Sequence, residues 1–405
     1  MRASRWGAAL LAVCLPAGAR AQSVPLTEAE ALARLSEESP RVRAQRAVVD
    51  VARADVLVAG RWPNPRVAFD RESVAGVTED IVTVSQPLPV TGRRGLEVAA
   101  ASTLVDAAER RADDGVRRIR ADLRLAFAQL VAAQERERQL QRARGRLQDV
   151  ARILERREAA GDISGFDRLR AEAELFDLEA DEAIAATDRA RAQAALAAFF
   201  DGADAGALVA GSPARVNGDV PPLDALIARA TSTRGEVSAI NHEREAARLS
   251  GQAAARRRFP EPEVMGGTKS SSVGGDAGSV VAVQATLPLF DRGRPERAVA
   301  DARQRLAAAR AESFTLALRS ELTALRETVI RRRASADRYR ETAIRGIDRI
   351  ERIASVSYEA GERGILELLD AYRIGIAAAT RQVSLDLAAR QAEIELEFVS
   401  GWEMP

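Results

Sequence analysis

A chain of 405 residues with a formal net charge of +1, 29% charged residues and 4% aromatics is poor material for one large globular core. It is good material for long amphipathic helices. The near-neutral balance argues against a nucleic-acid partner, which requires a strong basic excess. The single cysteine, Cys14, falls in a leader, which leaves no disulfide framework and no thiol chemistry for the rest.

In chain order, residues 1–21 read as an export signal. Arg2 and Arg5 form its positive start, Ala8 to Leu15 its apolar stretch, and Ala19-Arg20-Ala21 its cleavage site. Val13 is larger than the residue that usually precedes a lipidated cysteine, so cleavage before Gln22 is expected rather than lipidation at Cys14. Removing Arg2, Arg5 and Arg20 changes the charge from +1 to −2. No later segment is apolar over the roughly 18 residues that a membrane helix needs. Any membrane crossing must therefore use β-strands, which satisfy their backbone in lipid only within a closed barrel.

The first unit, residues 22–200, opens with a helix from Thr27, whose hydroxyl and Glu30 form a capping box. Pro40 interrupts the helix, which resumes from Val42 to Val58 until Gly60 and Pro63 stop it. A hairpin follows over 65–88, with Pro65 to Ser73 and Asp80 to Leu88 as strands around Gly76. Then comes a coiled-coil hairpin over 92–200. Gly92 to Glu158 contains no proline, and at 1.5 Å per residue it makes a rod of about 100 Å. Within it, Leu140, Ala143, Leu147, Val150 and Leu154 repeat at 3-4-3-4, the seam of a coiled coil. Ala160-Gly161-Asp162-Ile163-Ser164-Gly165 breaks the rod, and an alanine-rich helix returns from Phe166 to Phe200.

A connector over 201–221, rich in Gly, Ala and Pro, leads to a second unit over 222–405 built on the same plan. It has a helix to Arg257, a hairpin over 263–289 with the flexible turn Ser270 to Gly278, and a coiled-coil hairpin over 295–398 broken at Gly361. The repetition is legible in the residues themselves. Arg61-Trp-Pro-Asn-Pro-Arg-Val is echoed by Arg258-Phe-Pro-Glu-Pro-Glu-Val at a shift of 197 positions, and Ala160-Gly161-Asp162 by Ala360-Gly361-Glu362 at a shift of 200. Such a period means one unit of about 200 residues, duplicated.

A rod of that length with a narrow apolar stripe cannot bury the stripe alone. The strands are long enough to cross a bilayer when tilted, but four strands leave open edges. Three chains would pool twelve, an even number of suitable size. Val67, Phe69, Val82, Val84, Val281, Val283 and Leu287 supply a thin apolar band, and Trp62 and Phe259 precede each hairpin, where they either anchor as interfacial aromatics or simply staple helix to hairpin. A soluble periplasmic coiled-coil scaffold or adaptor without a pore is the competing reading, favoured by the thinness of that band. His242, the only histidine, has no cysteine or carboxylate cluster beside it, so no metal site is expected. No nucleophile–base pair or phosphate loop is visible, and no enzyme or cofactor is expected.

Leu26-Thr-Glu-Ala-Glu-Ala-Leu-Ala, Trp62-Pro-Asn-Pro, Val84-Ser-Gln-Pro-Leu-Pro-Val-Thr-Gly-Arg-Arg and Ser357-Tyr-Glu-Ala-Gly-Glu-Arg-Gly-Ile-Leu-Glu-Leu-Leu-Asp-Ala371 stand in this order along essentially the whole chain after the leader. Together they resemble the TolC-type outer-membrane factor family of bacterial efflux and secretion systems, and Gln86 to Arg94 is most similar to its heavy-metal-efflux branch. The resemblance implies a mainly α fold with a small β part. In a homotrimer it forms a 12-stranded outer-membrane β-barrel continued by a periplasmic α-helical barrel. It also implies docking to a periplasmic adaptor and an inner-membrane pump, with lipid around the barrel.

By the same resemblance a pore gate falls on Tyr358, Arg363, Glu367 and Asp370. Glu367 stands where the family commonly has aspartate. Glu367 and Asp370 are three apart and share a helix face, so in a trimer six carboxylates would ring a narrow, cation-favouring pore. Arg363 could pair with Glu367 or a neighbouring helix; the plainer alternative is an ordinary exposed ion pair. Adaptor contacts would fall on Gly161, Asp162, Ser164, Gly361 and Glu362, although helix termination alone also explains the glycines.

Overall fold

The computed structural model describes residues 25–211, 218–274 and 277–403. The expected leader and Cys14 lie outside these residues, as do parts of the connector and of the Ser270–Gly278 turn. The element order repeats one plan twice. Helices α1 (Glu28–Arg34) and α2 (Pro40–Ala59) precede strands β1 (Arg66–Val74) and β2 (Val77–Pro87), then helices α3 (Arg93–Ala159) and α4 (Gly165–Ala197). Helices α5 (Leu223–Thr233) and α6 (Gly235–Arg256) precede β3 (Pro262–Ser271) and β4 (Ala277–Ala285), then α7 (Arg294–Arg338), α8 (Arg345–Glu359) and α9 (Ile365–Ser400).

The local chemistry accounts for these boundaries. The Thr27 hydroxyl accepts from the Glu30 amide at 3.2 Å while the Glu30 carboxylate accepts from the Thr27 amide at 2.8 Å, the expected capping box. The α3 seam from Leu140 to Leu154 is buried as its 3-4 spacing requires, against Ala171, Leu178 and Ala185 of α4. Small residues recur at buried positions of α3, α6 and α7, which lets these rods approach closely.

The second rod departs from the expected unbroken helix. Between α7 and α8 lies a six-residue π turn, Tyr339–Ile344. A turn of this kind accommodates one extra residue within the helix. Arg340 in this turn pairs with Asp386 of α9.

The two hairpins do not stand apart. β2 pairs antiparallel with β3, Val82 opposite Thr268 and Val84 opposite Gly266, giving one four-stranded sheet in the order β1-β2-β3-β4. Both outer strands have a free edge within the chain.

At mid-height a second core gathers Phe127, Leu123, Leu130 and Leu196 with Leu26 and the connector residues Leu208 and Ala210. Here side chains substitute for a sheet. Leu26 forms an isolated parallel bridge with Ala210. The buried Gln134 amide both donates to the Ala210 carbonyl at 3.0 Å and accepts from its N–H at 2.9 Å, and Gln193 donates to the Leu208 carbonyl at 2.8 Å. Ion pairs tie the same level together. Glu28 of α1 meets both Arg124 of α3 and Arg390 of α9, while Arg333 of α7 reaches Glu393 of α9.

Candidate functional site: the helical tips and the sheet

Each coiled-coil hairpin turns at its far end through the same backbone device. Gly161 and Gly361 adopt left-handed φ of 80° and 75°, which glycine reaches without steric penalty. This bends the chain so that Asp162 N–H donates to the Arg157 carbonyl at 2.8 Å and Gly161 N–H to Glu158 at 2.9 Å. In the second tip Glu362 N–H donates to Ser357 at 2.9 Å and Gly361 N–H to Tyr358 at 3.1 Å. Both are Schellman endings, which satisfy the last carbonyls of a helix. Ser164 takes an extended conformation as the N-cap of α4, but its hydroxyl makes no capping bond. Gly161, Asp162, Ser164, Gly361 and Glu362 are all exposed.

The four residues expected at a gate separate into two groups. Glu367 and Asp370 lie together on the exposed side of α9, opposite the buried Ile365, Leu368 and Leu369. Arg363 is exposed in the turn before α9 and, among the described residues, makes no ion pair with Glu367. Tyr358 lies apart from the carboxylates, facing its own protomer. It is half-buried against the tip core, with the Arg157 guanidinium 5.4 Å from its ring centre. Its hydroxyl is buried and, among the described residues, has no hydrogen-bond partner.

Side chains that the sequence reading did not single out join the two hairpins. Arg146 of α3 pairs with Glu351 of α8 at 2.7 Å, and Arg373 of α9 pairs with Glu174 of α4. The Glu351 carboxylate crosses α9 at Gly375, where a Cβ would lie 1.6 Å from its Oε1. The one available signal was an isolated glycine inside a helical pattern. Burial pushes the nearby Tyr372 phenol above its usual value, with Arg146 opposing.

The sheet has two unlike faces. The register aligns Val67, Val84, Gly266 and Val281 in one row, with Phe69 and Val82 beside it on one flank and Val264 and Val283 on the other. These large apolar side chains are all exposed, Val281 to 82%. Arg71 pairs with Asp80 at the rim of that face. The opposite face is polar: Lys269 reaches Glu79, and Glu263 accepts from Ser85 and Gln284. No described helix is long and apolar enough to cross a membrane, and no described group of His, Cys, Asp and Glu could hold a metal ion. His242 stands half-exposed, 4.0 Å from Asp106.

The sequence model of the family described as "Outer membrane efflux protein" matches residues 31–200 and again 226–401. Among curated proteins, the chain is 24% identical to the cobalt-zinc-cadmium resistance protein CzcC of Cupriavidus metallidurans, over 96% of this chain and 93% of that one. It is 27% identical to the nickel-cobalt-cadmium resistance protein NccC of Alcaligenes xylosoxydans xylosoxydans, over 78% and 73%. Among solved structures it is similar in fold to a membrane protein from Pseudomonas aeruginosa, with TM-score 0.77 at 21% identity over 92% and 93% of the two chains. The open state of the Neisseria gonorrhoeae MtrE outer-membrane channel gives TM-score 0.76 at 20% identity, over 92% and 88%. Because the family model covers both halves, and with them both hairpins and both tips, the chain belongs to the outer membrane efflux protein family: it is an outer-membrane channel reaching into the periplasm, and not an enzyme or a scaffold without a pore.

Proposed function

We propose that three copies of this chain form the passive exit duct of a tripartite efflux system, with a periplasmic adaptor and an inner-membrane pump supplying the cargo and the energy. One observation carries this reading. The four-stranded sheet has an exposed apolar face, a polar face and two free edges, and free edges are not tolerated in lipid. Three such sheets joined edge to edge make a closed barrel of twelve strands.

In this reading the chain comprises two duplicated units, 22–200 and 222–405, joined by the connector 201–221. Glu367 and Asp370 turn toward the pore axis at the periplasmic tip, where six carboxylates from three copies favour cations. Arg363, free of Glu367 in the isolated chain, is available to a neighbouring copy, and Tyr358 holds the second hairpin against the first. The exposed tips at Gly161, Asp162, Ser164, Gly361 and Glu362 meet the adaptor. The names of the curated relatives support divalent metal ions as the cargo, recognised by the pump because the described residues offer no metal cluster.

Cells that lack this chain but keep its adaptor and pump are expected to accumulate cobalt, zinc or cadmium, measured by elemental analysis, and to recover on complementation. Unchanged metal content together with new sensitivity to organic compounds would remove the metal assignment and leave the duct.

A further inference from the structure

We infer that the collar where the sheet meets the helices binds the phosphate headgroups of anionic glycerophospholipids in the periplasmic leaflet of the outer membrane. The inference uses the placement of the sheet in that membrane and is independent of the number of copies. All four strands end on one level, at Arg66, Pro87, Pro262 and Ala285, and the helices meet the sheet there. With the apolar face in lipid and the helices in the periplasm, this level is the inner boundary of the bilayer.

Positive charge gathers at this level. Residues 61–66, 93–97, 256–263 and 291–297 hold ten arginines and five carboxylates, a net of +5, although the chain from Gln22 onward carries −2. The five carboxylates are already engaged. Glu97 and Glu261 meet Arg93, Glu263 meets Arg66, and Asp291 and Glu296 meet Arg257. Arg94 donates to the Gly60 carbonyl at 2.9 Å and lies over the Trp62 ring. Arg61, Arg256, Arg258, Arg292, Arg294 and Arg297 remain, all exposed, and among the described residues none of them makes a salt bridge.

The fold holds these side chains close together. Gly293 has a left-handed φ of 73°, and a Cβ there would lie 2.1 Å from the Ala254 carbonyl oxygen. That contact sets the start of α7 against the end of α6, which places Arg292 and Arg294 beside the Arg256–Arg258 run. Arginines crowded without a carboxylate between them attract an anion from outside, and the planar guanidinium fork matches phosphate oxygens. Apolar side chains stand among them. Leu287, Leu289 and Phe290 are exposed, Phe290 to 97%, and the Arg258 guanidinium lies 4.7 Å from the Phe259 ring centre. Apolar groups beside cations suit a bilayer boundary, where the first enter the acyl region and the second meet phosphate. A neighbouring copy is a poorer occupant, because it brings the same arginine excess and its carboxylates at this level are equally engaged.

The test adds phosphatidylglycerol or phosphatidylcholine of equal acyl length to the full chain in detergent. Native mass spectrometry then counts retained lipids and copies together. Phosphatidylglycerol should be retained at least about fivefold more than phosphatidylcholine. Arg256→Gln/Arg258→Gln/Arg292→Gln/Arg294→Gln should lose that preference, while Arg256→Lys/Arg258→Lys/Arg292→Lys/Arg294→Lys should keep it, since the charge persists. Arg338→Gln/Arg345→Gln/Arg349→Gln/Arg352→Gln, which removes equal charge far along the second rod, should also keep it. Equal retention of the two lipids, or loss of the preference in the lysine or the rod variant, would overturn the headgroup site. Displacement by soluble glycerol phosphate would overturn the lipid as the source of the phosphate. Retention by single chains but not by assembled ones would mean that a neighbouring copy covers the collar, and would overturn the proposal. A native mass of one copy with the preference intact would overturn the trimer and support this site.

Discussion

At the scale of single residues, two glycines on the same rod have opposite reasons to be glycine. Gly361 needs its left-handed backbone and has nothing near its missing side chain, whereas Gly375 lies mid-helix and makes room for Glu351. Gly361→Ala should therefore cost about 1–2 kcal/mol of stability, the penalty of a left-handed non-glycine residue. Gly375→Ala should act through another residue, displacing the Glu351 carboxylate and breaking its pair with Arg146. Urea unfolding of the single and double variants checks this: Gly375→Ala and Glu351→Gln should be strongly non-additive, since both remove one interaction. Additive losses would refute the account of Gly375. Only the first glycine was readable in the sequence. Gly361 lies between two apolar repeats in a recognisable turn, while nothing local reveals which helix crosses α9 at Gly375. The buried glutamines that hold the connector escaped for the same reason: Gln134 and Ala210 meet only through the fold.

Among elements, helices and hairpins were legible wherever the signal was periodic. The capping box at Thr27, the α3 seam and the Gly76 turn follow from residues within a few positions of one another. The join between β2 and β3 was not, because it pairs residues nearly two hundred positions apart. The π turn was hidden because inward positions 336, 340, 343 and 347 keep the ordinary 4-3-4 spacing through it, so no local break marks it. The mid-height ion pairs link elements in a way that pH can probe. Burial opposes ionisation of Glu28, but Arg390 and Arg124 outweigh it and hold the carboxyl below its ordinary value. A group depressed in the folded state contributes stability that is present above its unfolded value, near 4.3, and lost as pH falls through the folded value. Unfolding midpoints measured on either side of that window should therefore fall more steeply with acidification in the wild type than in Glu28→Gln. Parallel pH profiles would mean that the network adds nothing through Glu28.

On the scale of the whole molecule, the sheet's two faces decide how the channel meets the membrane. Val84 lies on the apolar face of an inner strand, and Ala282 lies on the polar face. Arginine on a lipid-facing strand costs about 2–4 kcal/mol at mid-bilayer, while lumen positions tolerate charge. Val84→Arg should thus sharply reduce the amount of protein assembled in the outer membrane, measured by membrane fractionation, whereas Ala282→Arg should assemble near normally. Equal assembly of the two variants would mean that the faces are assigned the wrong way round. The most direct measurement of the central claim is single-channel conductance of the purified protein in planar bilayers, with a Glu367→Gln/Asp370→Asn variant alongside. An open-ended duct lined at its tip by carboxylates predicts cation-selective pores that lose selectivity in the variant. A folded protein that never conducts would contradict the channel itself.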